Sequence, residues 1–93
     1  MQTDSVVLIV DGQRRHADGI VESLGKSCGK VLAVYNGRDA IEILRSRRVD
    51  VVVTDMCLGE DISGLDVLGE AKKHNPDTTV IFITANATIT NDC

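Results

Sequence analysis

The sequence predicts an α/β protein built on a parallel β-sheet with helices on both faces. Three observations predict it. Short continuous runs of β-branched residues suit strands buried on both sides, the segments between them repeat apolar residues at helical spacing, and the connections are short. Strands alternating with helices pair in parallel through right-handed crossovers. The chain has 93 residues, 43% hydrophobic and 26% charged, which fits one compact domain.

The elements follow in order. Val6-Val-Leu-Ile-Val10 is the first strand. Ala17, Ile20, Val21 and Leu24 then recur at i, i+3, i+4, i+7 among polar residues, an amphipathic helix that Gly25 ends. Val31-Leu-Ala-Val-Tyr35 is a second strand, broken by Asn36-Gly37. Ala40, Ile41, Ile43 and Leu44 line a second helix, closed by Arg45, Arg47 and Arg48, cations suited to the negative end of a helix. Asp50-Val-Val-Val-Thr-Asp55 is a third buried strand, and the stretch from Met56 to Ser63 is a loop. Leu65, Val67, Leu68 and Ala71 form a third helix stopped by Asn75-Pro76. Thr79-Val-Ile-Phe-Ile-Thr84 is a fourth strand, and residues 85–93 form a tail with room for one helical turn.

Composition excludes several classes. The net charge of −4 disfavours nucleic-acid binding, which needs a basic face. No apolar run approaches the ~20 residues of a membrane span, and the start shows no signal peptide, so a cytoplasmic location is expected. Cys28, Cys57 and Cys93 lack the spacing of a zinc site or a disulfide framework, and reduced thiols are expected. Gly19-Ile-Val-Glu-Ser-Leu-Gly-Lys-Ser27 has five residues between its glycines where a phosphate loop has four, and it lies in a helical pattern. The Asn86-Ala-Thr88 sequon has no meaning in a chain that is not secreted. His16, His74 and the Arg45–Arg48 run read as solvated helix surface.

In an open parallel sheet, ligands bind beyond the carboxyl ends of the strands. Those ends carry Asp11, Asp55 and Thr84, three oxygen-bearing side chains at one sheet edge. A strand-end Asp alone is also an ordinary turn former or helix cap, and a strand-end Thr an ordinary strand residue. Two carboxylates held side by side repel, and stay ionised only if a cation or basic group compensates. A hard divalent ion with oxygen ligands is the natural answer. A carboxylate beside Mg²⁺ can attack a phosphoryl group, and a nearby hydroxyl can hydrogen-bond the product.

These residues resemble the receiver domain of bacterial two-component response regulators over residues 5–93. The matching segments are Val7-Leu-Ile-Val-Asp11, Asn36-Gly-Arg-Asp-Ala-Ile-Glu-Ile-Leu44, Asp50-Val-Val-Val-Thr-Asp-Met56, Gly64-Leu-Asp-Val-Leu68 and Pro76-Asp-Thr-Thr-Val-Ile-Phe-Ile-Thr-Ala85. The wording of Gly64–Leu68 and Ile83–Thr88 looks most like receivers fused to σ54-dependent (NtrC-type) transcription activators. The resemblance implies a flavodoxin-like doubly wound sheet of strand order 2-1-3-4. It implies that Asp55 accepts a phosphoryl group from the phosphohistidine of a sensor histidine kinase. Asp11, Asp55 and the backbone carbonyl of Cys57 would hold Mg²⁺, Thr84 would be the switch hydroxyl, and Ala85 the small residue that leaves it access. The domain would be a signalling switch, not a conventional enzyme, though it would assist its own phosphorylation. Its output would be a DNA-binding or transcriptional domain beyond this segment.

Three departures stand beside the likeness. Receivers usually have two consecutive acids after the first strand, and here the second position is Gly12. The loop Cys57-Leu-Gly-Glu-Asp-Ile-Ser-Gly64 reads one residue longer than usual, with Gly59 where Pro is customary. The family's fifth strand and last helices, with their phosphoryl-contacting lysine, do not follow the fourth strand. That leaves an apolar edge expected to belong to a longer protein or to be completed by a dimeric or swapped neighbour. The competing reading is a degenerate receiver that acts as an interaction or dimerisation module without phosphorylation. A hydrolase using Asp55 as nucleophile lacks a second acid two residues on, where Cys57 stands.

Overall fold

The computed structural model describes residues 5–25, 29–56, 58 and 62–83. In chain order the elements are β1 (Val6–Val10), α1 (Arg14–Leu24), β2 (Lys30–Val34), α2 (Gly37–Ser46), β3 (Val51–Asp55), α3 (Gly64–His74) and β4 (Thr79–Ile83). All four strands are parallel, in the order β2-β1-β3-β4, the order the resemblance implies. Val10 is level with Val34 on one side and with Thr54 on the other.

Alternation along the strands builds two cores, because successive side chains leave opposite faces. Leu8, Val10 and Val52 join Ala40 and Leu44 of α2 and Val67 and Ala71 of α3. Val7, Ile9 and Val53 join Ala17 of α1, with Ile20, Val21, Val31, Ala33 and Ile83 around them. The first face carries two helices that touch each other. On the second face α1 lies over β1 and β2. Beside it an apolar groove of about 400 Å³ runs between α1 and the β3–β4 half of the sheet, lined by residues that include His16, Ile20, Leu24, Val53 and Ile83. Ile81 on β4 is 45% exposed.

Boundaries of two strands shift by one residue from the sequence expectation. Asp50 stands just before β3, and its Oδ2 accepts the backbone N–H of Val6 at 2.8 Å. Tyr35 leaves β2 and donates its hydroxyl to Asp18 at 3.0 Å. Asn36 caps α2 by accepting the N–H of Asp39 at 2.8 Å, which satisfies an orphan helix donor. Ser63 and Asp66 form a capping box at α3, with Ser63 N–H donating to Asp66 at 2.9 Å.

Two glycines mark close approaches. A side chain at Gly37 would collide with Ile62. At Gly64, a Cβ would lie 2.5 Å from the carbonyl oxygen of Asp55 and 2.9 Å from Met56 Cα. Gly64 N–H also donates to Met56 C=O at 2.8 Å, so the start of α3 is fastened to the end of β3. Between α2 and α3, Arg45 Nε donates to Glu70 at 2.9 Å, and His74 Nε2 lies 2.9 Å from the same oxygen. The Arg45 guanidinium first, and His74 second, hold the Glu70 carboxyl below its usual range.

Two outcomes follow for stability. Gly64→Ala forces a methyl into backbone that cannot retreat, and urea unfolding should show a loss of about 1–3 kcal/mol. Glu70 binds its proton less readily folded than unfolded, so its contribution is present above the ordinary value of 4.5 and fades as pH falls through the lowered one. Thermal melts of Glu70→Gln should therefore lie slightly below wild type at neutral pH and converge with it in acid.

Candidate functional site

The sheet register brings the two strand-end acids together. Val10 pairs with Thr54, and the next residue on each strand is Asp11 and Asp55. Adjacent parallel backbones run roughly 5 Å apart. Strand alternation sends both acids toward the α1 side, the face of Ile9 and Val53. Asp55 is the last residue of β3, half-buried and level with Ile83 of β4. Thr84, Cys57 and Ala85, the other expected site residues, lie outside the described residues.

Asp11 is the more constrained of the two. It is 2% exposed, and its backbone N–H donates to Val34 C=O at 3.2 Å, extending the β1–β2 ladder by one rung. Its Oδ1 accepts the N–H of Gln13 at 2.8 Å. That is the turn an Asp makes with the residue two positions on, and it steers the chain from strand into α1. Its Oδ2 accepts a hydrogen bond from Nδ1 of His16. Both carboxylate oxygens thus have partners before any ligand arrives.

His16 does more than the solvated histidine the sequence suggests: it also contacts Asp11. Its position is on the first turn of α1, yet its ring turns back across the strand-to-helix bend onto Asp11. The apolar periodicity of the helix carries no signal for this. The nearest hint is the run Arg14-Arg15-His16, three basic residues at the positive end of a helix, where acids are favoured. Arg14 spreads over the Tyr35 ring, 4.1 Å from its centroid.

Gly12 leaves space as well as lacking an acid. A Cβ there would meet nothing closer than Tyr35 C=O at 4.0 Å. Among the described residues no three His, Cys, Asp or Glu side chains are grouped to cage a metal ion. Two carboxylates on adjacent strands instead suit an open Mg²⁺ site, since this ion keeps its waters and takes one or two carboxylates plus phosphate oxygens.

A family model for the response regulator receiver domain matches residues 7–92. The chain belongs to this family. Among relatives, it is 46% identical over 56 residues to the luminescence regulatory protein LuxO of Vibrio campbellii, covering 60% of this chain and 12% of that protein. It is 37% identical over 79 residues to the probable transcriptional regulatory protein TcrX of Mycobacterium tuberculosis, covering 85% of this chain and 33% of that one. Both relatives are thus much longer than the part this receiver matches. Among solved structures, the response regulator TrrA of Thermotoga maritima, in complex with Mg²⁺ and beryllium fluoride, superposes with a TM-score of 0.79 at 29% identity. That match covers 89% of this chain and 71% of that one. The receiver is accordingly a signalling domain with the flavodoxin-like order already described. No helix among the described residues is long and apolar enough to cross a membrane.

The turn at Asp11 should be visible in stability. Asp11→Ala removes two hydrogen bonds to one carboxylate and should cost about 1.5–3 kcal/mol in denaturant unfolding. Asp11→Asn, which keeps an acceptor for Gln13, should cost less.

Proposed function

We propose that this receiver is a phosphoacceptor: Asp55 takes a phosphoryl group from the phosphohistidine of a sensor kinase and so switches an output domain. The observation that carries the reading is the register that sets Asp55 beside Asp11 at the carboxyl edge of the sheet. A carboxylate oxygen of Asp55 attacks phosphorus, the P–N bond to the donor imidazole breaks, and the electron pair returns to that ring, which takes up a proton. Asp11, Asp55 and the Cys57 carbonyl would hold Mg²⁺, which supplies charge neutralisation for the phosphoryl oxygens. The metal and phosphoryl mimic in the TrrA structure support this assignment by likeness.

Thr84 is assigned the switch role. A new aspartyl phosphate offers extra charge and strong acceptor oxygens, and one hydroxyl turning toward them biases the surface seen by the next domain. Transcriptional output fits relatives named as regulatory proteins, and a cytoplasmic setting fits a kinase donor.

Incubation with acetyl phosphate and Mg²⁺ followed by intact-mass measurement tests the reading. A single phosphoryl adduct is expected, absent in Asp55→Ala. No adduct on the wild type would leave the interaction-module reading in its place. Because Gly12 has room for a side chain, Gly12→Asp should fold and should label faster than wild type at limiting Mg²⁺.

A further inference from the structure

Both carboxylate oxygens of Asp11 are held by partners within the chain. Gln13 N–H holds Oδ1, a backbone bond that the turn into α1 requires. His16 holds Oδ2, and at 2% exposure Asp11 has little other open surface. A cation approaching the sheet edge therefore meets an oxygen that is already taken. The His16 side chain is 39% exposed and sits on a helix, so rotation about its own side-chain bonds can carry the ring off without moving backbone. Space for the displaced ring exists. The groove of about 400 Å³ between α1 and the β3–β4 half of the sheet is lined by His16 itself, with Gly19 and Ile20 beside it.

We propose that His16 is an internal occupant of the acidic site, a side-chain gate that must swing off Asp11 Oδ2 into the α1 groove before a divalent cation can bind there. His16 is thereby a residue that sets cation affinity, without being a ligand. The inference rests on the proposal that Asp11 and Asp55 form a Mg²⁺ site. With Gly12 offering no carboxylate, Asp11 has to surrender its histidine to serve, which weakens the site relative to one whose acid is already open.

The test is calorimetric titration of the chain with Mg²⁺ alone, for wild type, His16→Ala and Asp11→Asn, with the ring resonances of His16 followed by NMR in the wild type. His16→Ala is expected to bind Mg²⁺ on the order of tenfold more tightly, the scale of one hydrogen bond to a charged group. The wild-type ring signals should shift in step with metal binding, a readout independent of whether any variant folds well. Asp11→Asn should abolish binding. Equal affinity in wild type and His16→Ala, with unmoved ring signals, would overturn the gate and leave the metal site standing. Weaker binding by His16→Ala would also overturn it, making His16 a ligand. Absence of Mg²⁺ binding in wild type and His16→Ala alike would bring down both the gate and the two-carboxylate site.

Discussion

The pairing of β1 with β3 is the constraint on which the rest depends. Four parallel rungs, from Val7 with Val51 to Val10 with Thr54, fix the height of one strand against the other. A slip of one residue would turn each strand's side chains to the opposite faces and force both cores to repack. The same slip would part Asp11 from Asp55. Packing and chemistry are therefore enforced by a single register. Leu8, Val10 and Val52, buried under α2 and α3, hold the acids in line although none of them touches a ligand.

Much of this was legible in the sequence because it is written in periodicity. The runs Val6–Val10 and Val51–Val53 can be little else than buried strands, and the segments between them repeat at helical spacing. Strand ends then locate the acids without further information. Ends of elements were less legible, because side-chain bonds formed there, Asp50 with Val6 and Tyr35 with Asp18, follow no periodicity. Strand order was readable only through likeness to a family, because local pattern does not say which strands are neighbours.

The contact between His16 and Asp11 could not be read at all. It spans five residues across a bend whose shape is set by Gln13 N–H on the same carboxylate, and no repeat of 2 or 3.6 marks it. Acids held side by side call for either a cation or a basic group. It is the second option, a base supplied by the chain, that the first turn of α1 provides. Placing cations at the positive end of a helix is locally unfavourable, and such local disfavour is where a site is worth seeking.

The clasp between Gly64 and the end of β3 has a consequence for how such a chain can vary. Gly64 N–H meets Met56 C=O, and its missing side chain lets α3 start directly against Asp55. Both ends of the connecting segment are therefore anchored to the same spot. Residues added or removed between them alter the girth of that segment and leave α3 and Asp55 where they are.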